Sequence, residues 1–472
     1  MVNLLILSLL TIASIWLQKK IFSITKNYVL LLPVLAIYYW SILGGWVVTI
    51  DLMTGNWMEH IGFHYYSYFS KLFPVQLNSS YTFSIIYFSA FLLSFQVSLF
   101  FIVRKINTRS HVMEANPLYI NHWILIGLAC VMAVVSYFFI RAQIIEAMQH
   151  QESLYLFLSH QSGRFYSLYQ VTKSASLFLI LFGASLLLSQ RNGKYFTGHF
   201  STAIVCGYVI LGLTLFVYAT LIGSRSDLLF AFLFAMVFYL VNAKTISLYR
   251  LGSLLCSLVL IVAIVEMTRT IPIMNYLGLS VGPGIPNDEV LNRMSIMSTL
   301  LSLMASNEMF AGHMSMYGVL YYDVPLTFGS SFNYLLHSIV PRFLSVNRPE
   351  DIYTHYVNSI HYSGIQGFTI NHAAGWYLNF GFFGILLGGT LLGSLVGYGQ
   401  LLIRRAFTGS MASRISQVMF LLTLSAFFPA LIRTGPEGLK ALVFEAFLIP
   451  ALLIFIVAFV SDFLERKRRM NS

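Results

Sequence analysis

The sequence predicts an all-α polytopic membrane protein, and three observations carry that prediction. Of its 472 residues 57% are apolar and only 10% charged, with a mean hydropathy of +0.75, whereas a soluble chain carries roughly 25% charged residues. Apolar runs of membrane-spanning length, roughly 20 residues each, recur from one end to the other. Lys and Arg gather in short clusters between alternate runs, as the positive-inside rule requires.

Taken in order, the runs cover residues 2–18, 28–50, 81–103, 119–140, 173–190, 201–222, 227–243, 251–269, 373–402, 415–433 and 439–461, which gives about eleven spans within a range of ten to twelve. The first has no basic residue before it and Lys19-Lys20 after it, the reverse of signal-peptide order, so it reads as a retained helix. The second closes the connection that Lys19, Lys20 and Lys26 open. Every second connection after it is basic again: Arg104, Lys105 and Arg109; Arg191 and Lys194; Lys244 and Arg250; Arg404, Arg405 and Arg414; and the tail Arg466 to Arg469. These define the cytoplasmic side, which places the N-terminus outside and the C-terminus inside. The chain is read as one integral membrane domain, 1–472, with an outer loop at 141–172 and a large outer segment at 270–372 between the eighth and ninth spans.

The net charge of +11 belongs to these clusters, so no nucleic-acid partner is expected; the partner is the bilayer. Cys130, Cys206 and Cys256 all sit in apolar runs without a CxxC pair, so neither a disulfide framework nor a thiolate metal site is expected. Two acids fall inside runs. Glu266 stands three residues before Arg269, and Glu445 lies in the last span; an ionisable group at that depth is a functional candidate or half of a structural pair.

The outer connections hold eight arginines against three lysines, and nine of the 12 histidines. Arginine stays charged when partly buried and forms bidentate contacts with phosphate and carboxylate, which favours an anionic ligand at the outer leaflet; head-group anchoring is the competing use. Segment 270–372 keeps its aromatic and aliphatic residues between the turn markers at 282–286, 323–325 and 347–350, so it reads as a folded cap. Within it, 288–305 and 331–344 look helical. Apolar positions 332, 335, 336, 339, 340 and 343 give the second piece one apolar face, suited to a lid, a lateral gate or a packing helix.

Three constellations carry candidate chemistry. Gly223-Ser-Arg-Ser-Asp227 joins two runs and holds Arg225 at an elbow beside helix N–H groups, a phosphate-binding arrangement or a capped turn. Thr369-Ile-Asn-His-Ala-Ala-Gly-Trp-Tyr-Leu-Asn-Phe-Gly-Phe-Phe-Gly384 brings the outer segment into the ninth run. It places His372 at a helix start, where a neutral imidazole can accept a proton. Arg433-Thr-Gly-Pro-Glu-Gly438 is a tight turn with a cation beside an acid. Outer aromatics, Tyr65, Tyr66, Tyr321, Tyr322, Trp376 and Tyr377, suit sugar stacking or an interfacial belt.

The Gly-Ser-Arg elbow, the large outer segment and Asn-His-x-x-x-x-Tyr-Leu-x-x-Gly-x-x-Gly leading into a Gly-rich helix together resemble the superfamily of bacterial Wzy-type O-antigen polymerases and O-antigen ligases. The layout is similar over most of the chain and the motifs over about 30 residues. The superfamily order is His-Asn; here it is Asn371-His372. The resemblance implies a fold like the class C membrane glycosyltransferases. It further implies a metal-independent, cofactor-free transferase of the bacterial inner membrane that uses undecaprenyl-pyrophosphate-linked oligosaccharide as donor and acceptor, beside a chain-length regulator (polysaccharide copolymerase) and a flippase. Carried onto this chain, Arg225 would face the donor pyrophosphate and His372 would deprotonate the acceptor hydroxyl. Arg164, Arg269, Arg342, Arg348, Arg433, Asn371 and Tyr377 are the substrate-binding candidates. Polymerase, ligase and lipid-linked-oligosaccharide flippase stay open as three activities.

Overall fold

The computed structural model describes residues 1–25, 28–55, 74–107, 118–149, 164–190, 196–197, 202–222, 308–339, 349–360, 369–405, 428–440 and 448–470, with a few isolated positions between them. The spans expected at 227–243 and 251–269, most of 415–433, and the piece 288–305 lie outside these residues. Apart from one two-residue parallel bridge, Leu118–Tyr119 with Phe196–Thr197, the described elements are helical. In chain order they are α1 (Val2–Thr25), α2 (Leu31–Met53), α3 (Ser79–Asn107), α4 (His122–Gln149), α5 (Arg164–Gln190), α6 (Thr202–Ile222), α7 (Glu308–Tyr321), α8 (Ser330–Ile339), α9 (Ile352–Ser359), α10 (His372–Arg405), α11 (Phe428–Ile432), the single turn α12 (Gly438–Lys440) and α13 (Ile449–Met470). Among the described residues five helical stretches are long and apolar enough to cross a membrane: α1, α2, Ser79–Lys105, His122–Ala147 and His372–Gln400. The protein is thus an α-helical membrane protein.

Two compact units divide the chain. The first contains residues 1–113, 304–406 and 423–443. Its centre is α3, whose buried positions Tyr81, Ile85, Phe88, Phe91, Leu92, Phe95, Leu99 and Val103 follow the helical repeat, while Phe83 and Phe101 point away from the core. On one side lies α1, tied by Gln96 Nε2 to the Ser14 carbonyl (3.1 Å) and by Thr82 Oγ1 to Asn3 Oδ1 (2.9 Å). On another lies α10. A Cβ added at Gly389 would strike Ser94, and one at Gly393 would strike the Phe95 backbone, so these glycines, four residues apart, let the two helices touch backbone to backbone.

Two departures from regular helix shape this unit. Midway along α2, Tyr39–Leu43 forms a π-turn, which widens the helix and turns carbonyls outward. The run expected as one long span, 373–402, is broken: Phe380 leaves helical geometry and Gly381 takes φ 62° and ψ −150°, a region open essentially to glycine alone. What precedes the break, His372–Asn379, is therefore a separate short helix, and the spanning helix starts after it. Hydropathy is continuous across the break, which is why the sequence reads as one run.

The second unit contains residues 114–303, 407–422 and 444–472. Here α4 and α5 pack side by side, with Ser176 Oγ donating to the Ala129 carbonyl (2.9 Å). The side chain of α6 residue Tyr208 meets His122 Nδ1 (3.1 Å) and lies where a Cβ on Gly183 would sit, and α13 is held by Ser461 Oγ accepting from the Asn121 N–H (2.9 Å). The expected outer loop 141–172 is shorter than its apolar boundaries suggest. Helix α4 continues to Gln149, and α5 begins at Arg164. Ala142, Gln143, Glu146, Ala147 and Met148 are strong helix formers, so the helix outlasts the apolar run that hydropathy detects.

Candidate functional site

Two of the three sequence constellations meet in the first unit, at the start of α10. Asn371 is fully buried and its side chain is completely engaged. Oδ1 accepts from the Ala373 N–H (2.9 Å) as an N-cap, and Nδ2 donates to the Trp40 carbonyl (3.0 Å) and to Ser41 Oγ (3.1 Å). Its own N–H donates to Ser315 Oγ on α7 (3.0 Å). The residue expected to bind substrate is here a fastener that ties the beginning of α10 to the π-turn of α2. Gly312 makes the approach feasible, because a Cβ there would lie 2.9 Å from the Trp40 carbonyl oxygen.

The neighbouring His372 is also fully buried. Its Nδ1 lies 2.9 Å from the carbonyl oxygen of Thr434, in the Arg433–Gly438 turn. A carbonyl only accepts, so Nδ1 carries the proton and a neutral ring presents a lone pair at Nε2. That nitrogen is buried and makes no hydrogen bond among the described residues, and the same holds for Trp376 Nε1, one helical turn along, with the two rings 6.3 Å apart. An unpaired acceptor on one ring and an unpaired donor on its neighbour are the two kinds of group that a hydroxyl can satisfy. Phe91 forms the adjoining wall, 6.2 Å from the His372 ring.

The turn is fitted to this helix. Gly375 lets Gly435 and Pro436 lie against it, and Arg433 follows α11 half-buried. Glu437 accepts from the Ile352 N–H at the start of α9 (2.9 Å). Burial pushes its carboxyl up to about 7; Asp351 adds to this, while backbone N–H bonds and Ser331 oppose it. Tyr377, half-buried, stacks on Tyr87 of α3 (5.3 Å, 28° between planes). Trp376, expected among outer aromatics, is 3% exposed, and a Cβ on Gly388 would run into its indole ring.

The structure thus brings together Asn371, His372, Tyr377 and Arg433. Arg225, Arg269, Arg342 and Arg348 lie outside the described residues, and of Arg164 only its place at the start of α5 is described.

One group was not singled out by the sequence. His313 on α7 is fully buried, donates from Nδ1 to the Ser41 carbonyl (2.8 Å) and accepts at Nε2 from Tyr81 Oη (3.1 Å). Its signal was there to read. In the apolar stretch 310–320 only His313 and Ser315 carry strongly polar side chains among small and large apolar residues, and both serve the α2–α10 junction. Among the described residues no group of three or more His, Cys, Asp or Glu is arranged to hold a metal ion.

Comparison of the chain with family models, curated proteins and solved structures finds no match in any of the three.

Proposed function

We propose that the protein polymerises undecaprenyl-pyrophosphate-linked oligosaccharide repeat units at the periplasmic face of the bacterial inner membrane, as a metal-independent glycosyltransferase. The observation that carries the reading is the fixed tautomer of His372: the Thr434 carbonyl accepts a hydrogen bond from Nδ1–H, which leaves Nε2 as a base at the start of a helix, beside a turn that carries Arg433. The motif resemblance around Asn371-His372 and the membrane-spanning helices support it.

In this reaction the acceptor hydroxyl of a newly delivered repeat unit attacks the anomeric carbon of the growing glycan. The new C–O bond forms as the bond to the carrier pyrophosphate breaks, and the hydroxyl proton passes to His372 Nε2. Trp376 Nε1 offers the same hydroxyl a hydrogen bond. The leaving pyrophosphate carries the charge, and fixed arginine cations can stabilise it without a metal. Arg225 is assigned to that role, with Arg164, Arg269, Arg342, Arg348 and Arg433 as further contacts to pyrophosphate or acceptor.

The test is a gene deletion with the surface glycan resolved on a gel, complemented by wild type, Arg225→Ala or His372→Ala. A deletion strain that caps single repeat units onto lipid in place of a ladder supports polymerisation. Long carrier-bound polymer with no capping would mean a ligase, and loss of all periplasmic repeat units a flippase. A near-normal ladder from His372→Ala at equal protein level removes that residue from the mechanism.

A further inference from the structure

His372 Nε2 is sealed. His372 is 0% exposed and Trp376 3%, and among the described residues two rings packed on Trp376 reach the surface, Phe332 of α8 at 5.1 Å and Phe380 at 6.4 Å. Trp376 is held between two faces: one is Gly388, against which its indole lies flat, and the other is Phe332, itself stacked on Phe380 (5.9 Å, 23°). Gly388 belongs to a helix anchored along α3. Phe332 belongs to a ten-residue helix whose ties are of a different kind.

We propose that α8 is a lid, and that Phe332 must leave the Trp376 ring before any molecule can reach His372 Nε2. Three observations point to a closure built to open. First, the ties between α8, its leading loop and the short helix His372–Asn379 include several exchangeable polar bonds: Ser331 Oγ with Asn379 Nδ2 (2.8 Å) and Oδ1 (3.1 Å), and Thr327 N–H with the Leu378 carbonyl (2.7 Å). Second, the chain enters α8 through two successive residues with positive φ, Phe328 (48°) and Gly329 (88°), and Phe328 is 81% exposed. A bulky residue in the left-handed region is strained, and here little burial of the ring offsets the strain, so the joint is strained in the closed position. Third, closure leaves His372 Nε2 and Trp376 Nε1 buried without hydrogen bonds among the described residues, a cost that opening to a hydroxyl-bearing molecule removes. The apolar residue Leu336, 63% exposed on the same helix, gives α8 a surface suited to a membrane interface.

The purpose of opening rests on the role proposed for His372; the closure itself does not, and the experiment reads access rather than polymer. Purified protein in detergent is treated with diethyl pyrocarbonate at neutral pH, and modification of each histidine is followed by mass spectrometry. Phe332→Ala is expected to speed modification of His372 by about tenfold or more, since the rate follows the population of open molecules. His313, equally buried but packed by Tyr81 and Phe88, stays protected. In a background with Cys130, Cys206 and Cys256 changed to Ser, the pair Ser331→Cys and Asn379→Cys is oxidised to lock α8 down; modification of His372 then slows about tenfold and recovers on reduction. Unchanged modification of His372 in the oxidised pair overturns the lid. So does acceleration in Phe332→Ala that His313 shares, because that is unfolding.

Discussion

His372 Nδ1 and the carbonyl oxygen of Thr434 are 2.9 Å apart across 62 residues of sequence, and this one bond decides which ring nitrogen is available. With selective ¹⁵N labelling, NMR of the solubilised protein at neutral pH should show the Nδ1–H tautomer, with an unprotonated Nε2. Observation of the Nε2–H form would withdraw the base from the proposed mechanism whatever the activity of the mutants.

Asn371 makes its contacts with both ends of the amide, so different substitutions should fail to different degrees. Asn371→Ala loses the cap, worth about 1 kcal/mol, and deprives the part-buried Trp40 carbonyl of a donor, a further cost of about 1 kcal/mol. Asn371→Ser keeps a capping oxygen and should recover part of the loss. Melting temperatures in detergent, ordered wild type, Ser, Ala, would bear this out; an Ala variant as stable as wild type would mean the junction does not depend on the amide.

The Glu437 carboxyl is raised from its ordinary 4.5 to about 7 by burial. A raised acid favours the folded state in its protonated form. Its contribution is therefore fully present below the ordinary carboxyl range and is lost as pH rises through about 7. Glu437→Gln keeps an acceptor for the Ile352 N–H without the charge. Its stability measured across that window should lack the decline that Glu437 adds to wild type, so the difference between the two proteins should widen as pH rises. Parallel curves would refute the assignment.

Glycines in similar apolar runs should respond oppositely. A Cβ on Gly393 would overlap the Phe95 backbone, whereas one on Gly127 meets nothing within 4 Å. Gly393→Ala should cost about 1–3 kcal/mol through overpacking, and Gly127→Ala should stabilise α4 by up to about 1 kcal/mol. Thermal unfolding of the two variants side by side checks both signs at once.

Much of the helical framework could be read from apolar runs, because a lipid-facing helix and its hydropathy are the same physical fact: α1, α2, α3, α4 and α6 begin or end within a few residues of their runs. The break at Gly381 could not, since it changes backbone angles without changing polarity. Nor could the pairing of His372 with Thr434, which joins two segments that sequence spacing keeps apart. The amphipathic face at 331–344 was visible as a pattern, and α8 occupies its first part; that Phe332 would lie on Trp376 was not, because a period identifies a face and not its partner. The contacts of Asn371 with α2 and α7 were hidden for the same reason. A polar residue next to a histidine looks alike whether it serves a ligand or the backbone of another helix.

A π-turn contains one residue more than the α-helix it interrupts, so α2 carries an insertion between its two regular halves. Removing one residue from Tyr39–Leu43 would leave hydropathy almost untouched and give a straighter helix. Because the wide turn itself absorbs the extra residue, Gly44–Met53 would keep its facing relative to Leu31–Tyr38 and Val48, Thr49 and Asp51 their buried side, while the Trp40 and Ser41 carbonyls that Asn371 and His313 hold would be drawn back into the helical ladder. The junction is thus sensitive to the length of this segment more than to its composition, and a chain one residue shorter here, though equally apolar, would keep its helix faces and lose the carbonyls to which the start of α10 is fastened.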